Sequence, residues 1–155
     1  PSVSFPVKAG ERYFVFVDGT GSGLYELGLE FGSSCAQAKD VTANLGGAPV
    51  TGTTLGAFDE VDGSCGLGFP VGSEAVYTVT PTRSGTLTAL ASPVGVGSSF
   101  LVSVRNGCGA GSTEHACGAS YTSLPVTAGA TYTIVVEPWI TAKSPSAVKM
   151  SPLSL

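Results

Sequence analysis

Residues 4–19, SFPVKAGERYFVFVDG, return near the other end of the chain as residues 123–138, SLPVTAGATYTIVVEP. Seven of the sixteen positions are identical, and Val15 and Asp18 are matched by the similar residues Ile134 and Glu137. Self-similarity at a fixed shift is the sequence signature of repeated structural units. We therefore interpret each copy as the closing strand of a unit, so that the chain carries one complete unit and the end of another.

This repeat predicts the domain organisation. Residues 1–31 are expected to be the C-terminal hairpin of a preceding, incomplete unit, and residues 32–155 a complete one. Residues 13–17 are apolar on both faces and predict a buried strand, whereas the following segment alternates apolar and polar residues. Because an isolated hairpin is marginal in water, we expect it to dock on this sandwich or to complete a neighbouring chain. Its candidate interface residues are Tyr13, Tyr25, Leu27 and Leu29.

Composition narrows the class of protein. The 22 glycines and 10 prolines, with only 12% charged residues, are typical of short strands joined by tight turns. A net charge of -4 gives no field that would attract nucleic acid. We find neither a signal peptide nor an apolar run long enough for a transmembrane helix. Since the sequence opens on Pro1, we interpret it as a processed or excised chain.

The apolar residues alternate with a period of two and show no sustained helical period, so every secondary-structure element that we predict is a strand. In residues 99–105 the alternation places Phe100, Val102 and Val104 inward. Residues 81–85 and 127–129 resemble the short turns that join sequential antiparallel strands. The predicted fold class is all-β, an antiparallel β-sandwich with the N-terminal hairpin added. The predicted strands are residues 75–80, 86–90, 99–105, 131–136 and a last one near 148–155.

Four cysteines, Cys35, Cys65, Cys108 and Cys117, occur without a Cys-x-x-Cys motif or a set of histidines, which favours disulfides over zinc ligation. Three pairings are possible, and the sequence alone does not select one rigorously. Proximity along the chain suggests that Cys35 pairs with Cys65 and Cys108 with Cys117, each bridge closing a loop. Disulfides in turn imply an oxidising compartment, so we expect a secreted or cell-surface protein.

The segments that follow carry a family resemblance. Residues 53–60, Cys65-Gly66, residues 75–81 and 84–87, then residues 100–108 and 124–137, occur in the order of the strands of the bacterial pre-peptidase C-terminal (PPC-like) domain, which residues 50–155 resemble. The cysteine-bearing form is similar to tandem repeats of secreted and surface proteins. The resemblance implies a jelly-roll-like sandwich that links, targets or binds extracellular polymers, and it implies no reaction.

Candidate residues for chemistry are few. His115 is the only histidine, and its place between Cys108 and Cys117 predicts an exposed loop residue with no catalytic role. Asp59, Glu60 and Asp62 surround a turn and form a weak calcium candidate, for which a solvated turn is the alternative. No other cofactor is indicated. Glu114 and Glu137 are interpreted as surface charges.

Trp139 follows Pro138 near the end of the last repeated strand. We interpret it as a half-buried edge residue, with a ligand contact or a protein interface as alternatives.

Three functions from different classes follow from these observations. The first is a secreted, non-catalytic module for adhesion or for binding an extracellular polymer or protein, within a longer tandem-repeat protein. The second is a structural subunit of an extracellular fibre, assembled head-to-tail from copies of itself through strand or hairpin complementation. An enzyme is the third, and we do not expect one. Nucleic acid and a membrane-spanning role are not expected either.

Overall fold

The computed structural model describes residues 7, 10–24, 26–27, 35–54, 57, 59–66, 72–93, 99–109, 111–139 and 147–150. The helical content of this part of the chain consists of the 3-10 turns Thr42–Asn44 and Ser64–Gly66. No helix in these residues is long and apolar enough to cross a membrane. In chain order the described strands are β1 (Lys39–Asp40), β2 (Val50–Thr53), β3 (Ala75–Val79), β4 (Gly85–Pro93), β5 (Ser99–Arg105), β6 (Glu114–Ala119), β7 (Tyr121–Val126), β8 (Tyr132–Trp139) and β9 (Ala147–Met150).

The strands form two packed sheets, and the fold is an all-β sandwich, as the sequence predicted. The first sheet has the order β1-β3-β8-β5-β6, and the second has the order β2-β9-β4-β7. Neighbouring strands are antiparallel except β1 and β3, which are parallel. The two strands that come last in the chain, β8 and β9, are therefore both internal strands of their sheets.

The core lies between the sheets and is built from alternate residues of the strands that face it. Phe100, Val102 and Val104 of β5 are fully buried there, as predicted from their alternation. Leu87 of β4 meets them from the second sheet, and Ile134 of β8 lies beside β5 in the first. Burying large apolar side chains of this kind contributes roughly 1.5–3 kcal/mol each.

The predicted strands at 75–80, 86–90, 99–105 and 131–136 correspond to β3, β4, β5 and β8. The last predicted strand overlaps β9, and residues 151–155 lie outside the described part of the chain. Four strands, β1, β2, β6 and β7, were not predicted. β6 begins within the Cys108–Cys117 segment, which the sequence predicted to be a loop, and β7 follows it.

The two predicted hairpin turns have a different role from the one expected. Residues 81–85 join β3 to β4, and residues 127–129 join β7 to β8, and in both cases the two strands belong to different sheets. These turns cross from one sheet to the other, and they bond to each other: Gly129 N–H donates to the Pro81 carbonyl at 2.8 Å, and Ala128 N–H to Ser84 Oγ at 3.0 Å. Sequence reveals that a turn is present, whereas the choice of sheet depends on contacts distant in the chain.

The predicted N-terminal hairpin is not formed within the described residues. Residues 11–24 contain no strand, and every one of them is exposed. The prediction of a buried strand at 13–17 is therefore wrong for a single copy of the chain, since no described strand is hydrogen-bonded beside it. Tyr25 and residues 28–31, which belong to the second predicted strand of the hairpin, lie outside the described residues.

Candidate functional site

The outer face of the five-stranded sheet, which points away from the core, is covered by residues 59–66, here called the covering loop. Because Phe100, Val102 and Val104 point inward, Leu101, Ser103 and Arg105 alternate to the outer face, yet all three are buried. Val61 of the covering loop is also buried. This face is therefore a second packed layer.

Two buried carboxylates hold the covering loop. Both oxygens of Glu137, at the end of β8, accept the backbone N–H of Gly63, at 3.2 and 3.1 Å. Both oxygens of Glu74, just before β3, accept the N–H of Glu60 at 3.0 and 3.1 Å. Each glutamate is only 1% exposed. The loop is thus fixed at two points, by Glu137 on β8 and by Glu74 immediately before the neighbouring strand β3.

Burial raises the pKa of Glu137 to about 8. The Gly63 N–H opposes this rise, the nearby Asp62 and Glu74 add to it, and Arg105 also opposes it. The pKa rises overall because moving the carboxylate out of water costs more free energy than its hydrogen bond with the Gly63 N–H recovers. Burial likewise raises the pKa of Asp59, with Asp62 as a second cause.

Arg105 and Glu114 form a third anchor of the covering loop. Arg105 Nη2 donates to the Asp62 carbonyl and, at 3.1 Å, to Glu114 Oε2. The Ser64 N–H donates to the same Glu114 oxygen at 3.0 Å, and the Ser64 hydroxyl donates to its other oxygen. Charge-assisted bonds of this kind are stronger than neutral ones, so they join the loop to both β5 and β6.

A disulfide completes the attachment and corrects the predicted pairing. All four cysteines are paired, as expected, but the bridges are Cys35–Cys108 and Cys65–Cys117. The predicted Cys35–Cys65 and Cys108–Cys117 pairs are wrong. In β6, Cys117 lies opposite Ser103 and beneath the covering loop, where Cys65 meets it. Proximity along the chain is a poor guide here because Cys108 and Cys117 lie at different points of a β5–β6 hairpin.

The calcium candidates lie on this loop. Asp59, Glu60 and Asp62 are exposed. Among the described residues no three or more His, Cys, Asp or Glu side chains are grouped so as to hold a metal ion. The Glu60 N–H and the Asp62 carbonyl are bonded to protein side chains. Calcium binding stays a prediction.

The other predicted residues are dispersed. Trp139 is half-buried at the end of β8, opposite Ser99 of β5. Tyr13 and Leu27 are exposed in the N-terminal segment, and Tyr25 and Leu29 lie outside the described residues. His115 is exposed, as expected, but it lies on β6 and makes an edge contact with the Tyr132 ring, at 6.1 Å between centroids.

Sequence reasoning missed the residues that organise this face. Glu137 is buried, so its interpretation as a surface charge is wrong, and Glu114 is mostly buried in its ion pair. Glu74 was not considered. One signal was present in the sequence: Asp18 and Glu137 are both acidic at the same position of the repeat.

A small cavity of about 160 Å³ opens beside β1, β2 and β3, lined among others by Lys39, Thr51, Glu74 and Tyr77. Pockets for drug-sized ligands are roughly 300–1,000 Å³. The cavity therefore suits a few waters or a small polar group.

Comparison of the chain with protein-family models, curated proteins and solved structures gave no match. The resemblance to the PPC-like domain therefore rests on the strand pattern of residues 50–155.

Proposed function

We propose that this chain is a non-catalytic β-sandwich module of an extracellular tandem-repeat protein, related to PPC-like domains, which serves in adhesion or in binding an extracellular polymer or protein. The observation that carries the proposal is the second copy of the closing segment. Residues 4–19 repeat 123–138, and the latter form the end of β7, the turn and β8 of the sandwich. A chain that holds one whole unit and the closing segment of another is what a tandem array produces.

The chemistry of the described residues supports a binding role over catalysis. The two buried carboxylates, Glu74 and Glu137, are bonded to backbone N–H groups of the covering loop. His115 is on the surface of β6. General acid–base catalysis needs such groups directed at a substrate. The two disulfides support an oxidising compartment.

The binding role is tested by pull-down of the purified chain on insoluble cellulose, chitin and peptidoglycan, with serum albumin as the control protein. We expect retention on at least one polymer and no release of soluble sugars or peptides from it. Release of soluble products would overturn the non-catalytic assignment. If the chain is retained on none of the three polymers, polymer binding is ruled out for them. Adhesion to a protein is then assayed on immobilised extracellular matrix protein.

A fibre subunit is the second candidate, and the exposed apolar residues of the N-terminal segment favour it. Phe14 is 74% exposed and Phe16 88% exposed. Exposed apolar runs recruit partners. Sedimentation velocity at rising protein concentration separates the two functions, because a module stays monomeric whereas a head-to-tail subunit forms an open series of larger species.

A further inference from the structure

One glycine of the N-terminal segment has the same backbone conformation as its counterpart in the β7–β8 connection. Gly10 and Gly129 occupy the same position of the repeat, and their φ angles are +84° and +77°. This left-handed region is readily adopted by glycine and rarely by other residues. The two copies therefore share a backbone conformation at this position, although only the second copy leads into a paired strand.

In the sandwich the strand that follows this turn is covered on every side. β8 lies between β3 and β5, and both of its faces are packed. Tyr132, Ile134 and Val136 face the core. The alternate positions, Thr133, Val135 and Glu137, are also buried, on the face that the covering loop protects.

The matching positions of the N-terminal segment are exposed. The repeat aligns Tyr13 with Tyr132, Val15 with Ile134 and Val17 with Val136, and these three residues are 43%, 45% and 51% exposed. Phe14 and Phe16 align with the outer-face positions. Docking at a sheet edge would pair one side of this strand and leave the other unpaired. A segment with apolar residues on both faces is instead typical of a central strand, which is hydrogen-bonded to a neighbour on each side and covered on both faces.

We propose that residues 4–19 are the closing segment of a second sandwich of this fold, in which residues 13–17 lie between two strands as β8 does and Asp18 takes the place of Glu137. The partner is a unit with the equivalents of β3, β5 and the covering loop and with an unfilled β8 position. This inference rests on the proposed tandem-repeat function and adds the site of insertion.

The proposal assigns a specific hydrogen bond to Asp18. In this structure its Oδ1 accepts the N–H of the adjacent Gly19 at 2.8 Å, so its carboxylate is satisfied locally. In the partner sandwich it would accept a backbone N–H of the covering loop, as Glu137 accepts that of Gly63. The partner's covering loop must therefore differ from residues 59–66, because Asp18 is shorter than Glu137 by one methylene while Phe14 and Phe16 are larger than Thr133 and Val135.

The proposal is tested by transplanting the segment within the full chain. Residues 123–138 are replaced by residues 4–19, while Thr133 and Val135 are retained, because phenylalanines at these positions would overpack the covering loop. We expect cooperative unfolding with a midpoint within about 10 °C of the unaltered chain, and both disulfides by non-reducing peptide mapping. The control carries the transplanted residues in scrambled order and should neither unfold cooperatively nor recover both bridges. A transplant that behaves like this scrambled control overturns the assignment.

A separate variant keeps the role of Asp18 testable if the transplant fails to fold. In the full chain, Glu137→Asp is compared with Glu137→Ala by amide hydrogen exchange at Gly63. We expect exchange at least about tenfold slower in the aspartate variant, because local opening must break the bond that aspartate retains. Equal exchange rates in the two variants would show that aspartate does not hold the loop.

Failure of this proposal and failure of the proposed function can be distinguished. Polymer retention by the unaltered chain tests the module, whereas the transplant tests only what residues 4–19 encode.

Discussion

Glu137 accepts the Gly63 backbone N–H with both carboxylate oxygens, although the two residues are 74 positions apart. This contact joins β8 to the covering loop from a buried position. It also puts a carboxyl group whose pKa is raised to about 8 at the centre of the outer layer. The stability of the sandwich should therefore depend on pH through this residue.

The first prediction concerns Glu137→Gln. Between the ordinary pKa of 4.5 and about 8, the folded chain holds a proton that the unfolded chain releases, so the contribution of Glu137 to stability falls as pH rises. The glutamine side chain does not titrate, so the stability of this variant relative to the unaltered chain should increase as pH rises through the same window. Urea unfolding at pH 5, 6.5, 8 and 9 measures the difference.

Asp40→Asn provides the control for that experiment. Asp40 is exposed, and a hydrogen bond from Thr42 lowers its pKa, so removing its charge should not reproduce the trend above pH 5. A difference between the Glu137→Gln variant and the unaltered chain that is the same at all four pH values would contradict a raised pKa at Glu137.

Gly63→Ala should be destabilising. A Cβ on Gly63 would lie 3.0 Å from Glu137 Oε2 and 3.1 Å from Cys117 Sγ. The first atom is hydrogen-bonded to the Gly63 N–H and the second is in the disulfide with Cys65, so both are held in place. We expect a loss of about 1–3 kcal/mol, the range for overpacking a filled interior. The measurement is urea unfolding at one pH. Gly111→Ala is the matched control because a Cβ there meets nothing within 4 Å. Equal losses of stability in the two variants would show that the covering loop moves to accommodate the added Cβ without a cost in free energy.

The disulfides give a third prediction. Non-reducing peptide mapping should recover Cys35–Cys108 and Cys65–Cys117. Replacing Cys65 and Cys117 together by alanine should lower the free energy of unfolding by about 2–4 kcal/mol, because the bridge restricts the unfolded chain. The same double change at Cys35 and Cys108 is the comparison. Recovery of a Cys108–Cys117 peptide would contradict the arrangement around the covering loop.

The fourth prediction concerns self-association. Phe16→Ser should reduce any rise in the weight-average mass with concentration, because it removes the most exposed aromatic side chain of the described residues. Its melting temperature should stay unchanged, since residue 16 packs against no described strand. Tyr121→Ser, on β7, is the control, as Tyr121 is 60% exposed on the sandwich itself. If the Tyr121 variant alone lost association, the contact surface would lie on the sandwich.

The inward strands could be predicted from sequence because their alternation is local. Residues 99–105 form β5 with the boundaries and the inward face expected. The outer layer could not be predicted in this way, since Arg105 and Glu137 occupy positions that alternation assigns to solvent. Their burial depends on the covering loop, which approaches from 40 or more residues away. The disulfide pairing failed for the same reason: Cys65 meets Cys117 only once the loop crosses β5 and β6.

The central positions of β8 and β9 have a consequence for biosynthesis. Translation produces β2, β3, β4 and β5 well before β8, which lies between β3 and β5, and β9, which lies between β2 and β4. Until residues 132–139 have left the ribosome, β3 and β5 have no common partner, and β2 and β4 likewise await residues 147–150. Non-local pairing of this kind slows folding. We therefore expect that neither sheet can be completed until nearly all of residues 39–150 have been synthesised.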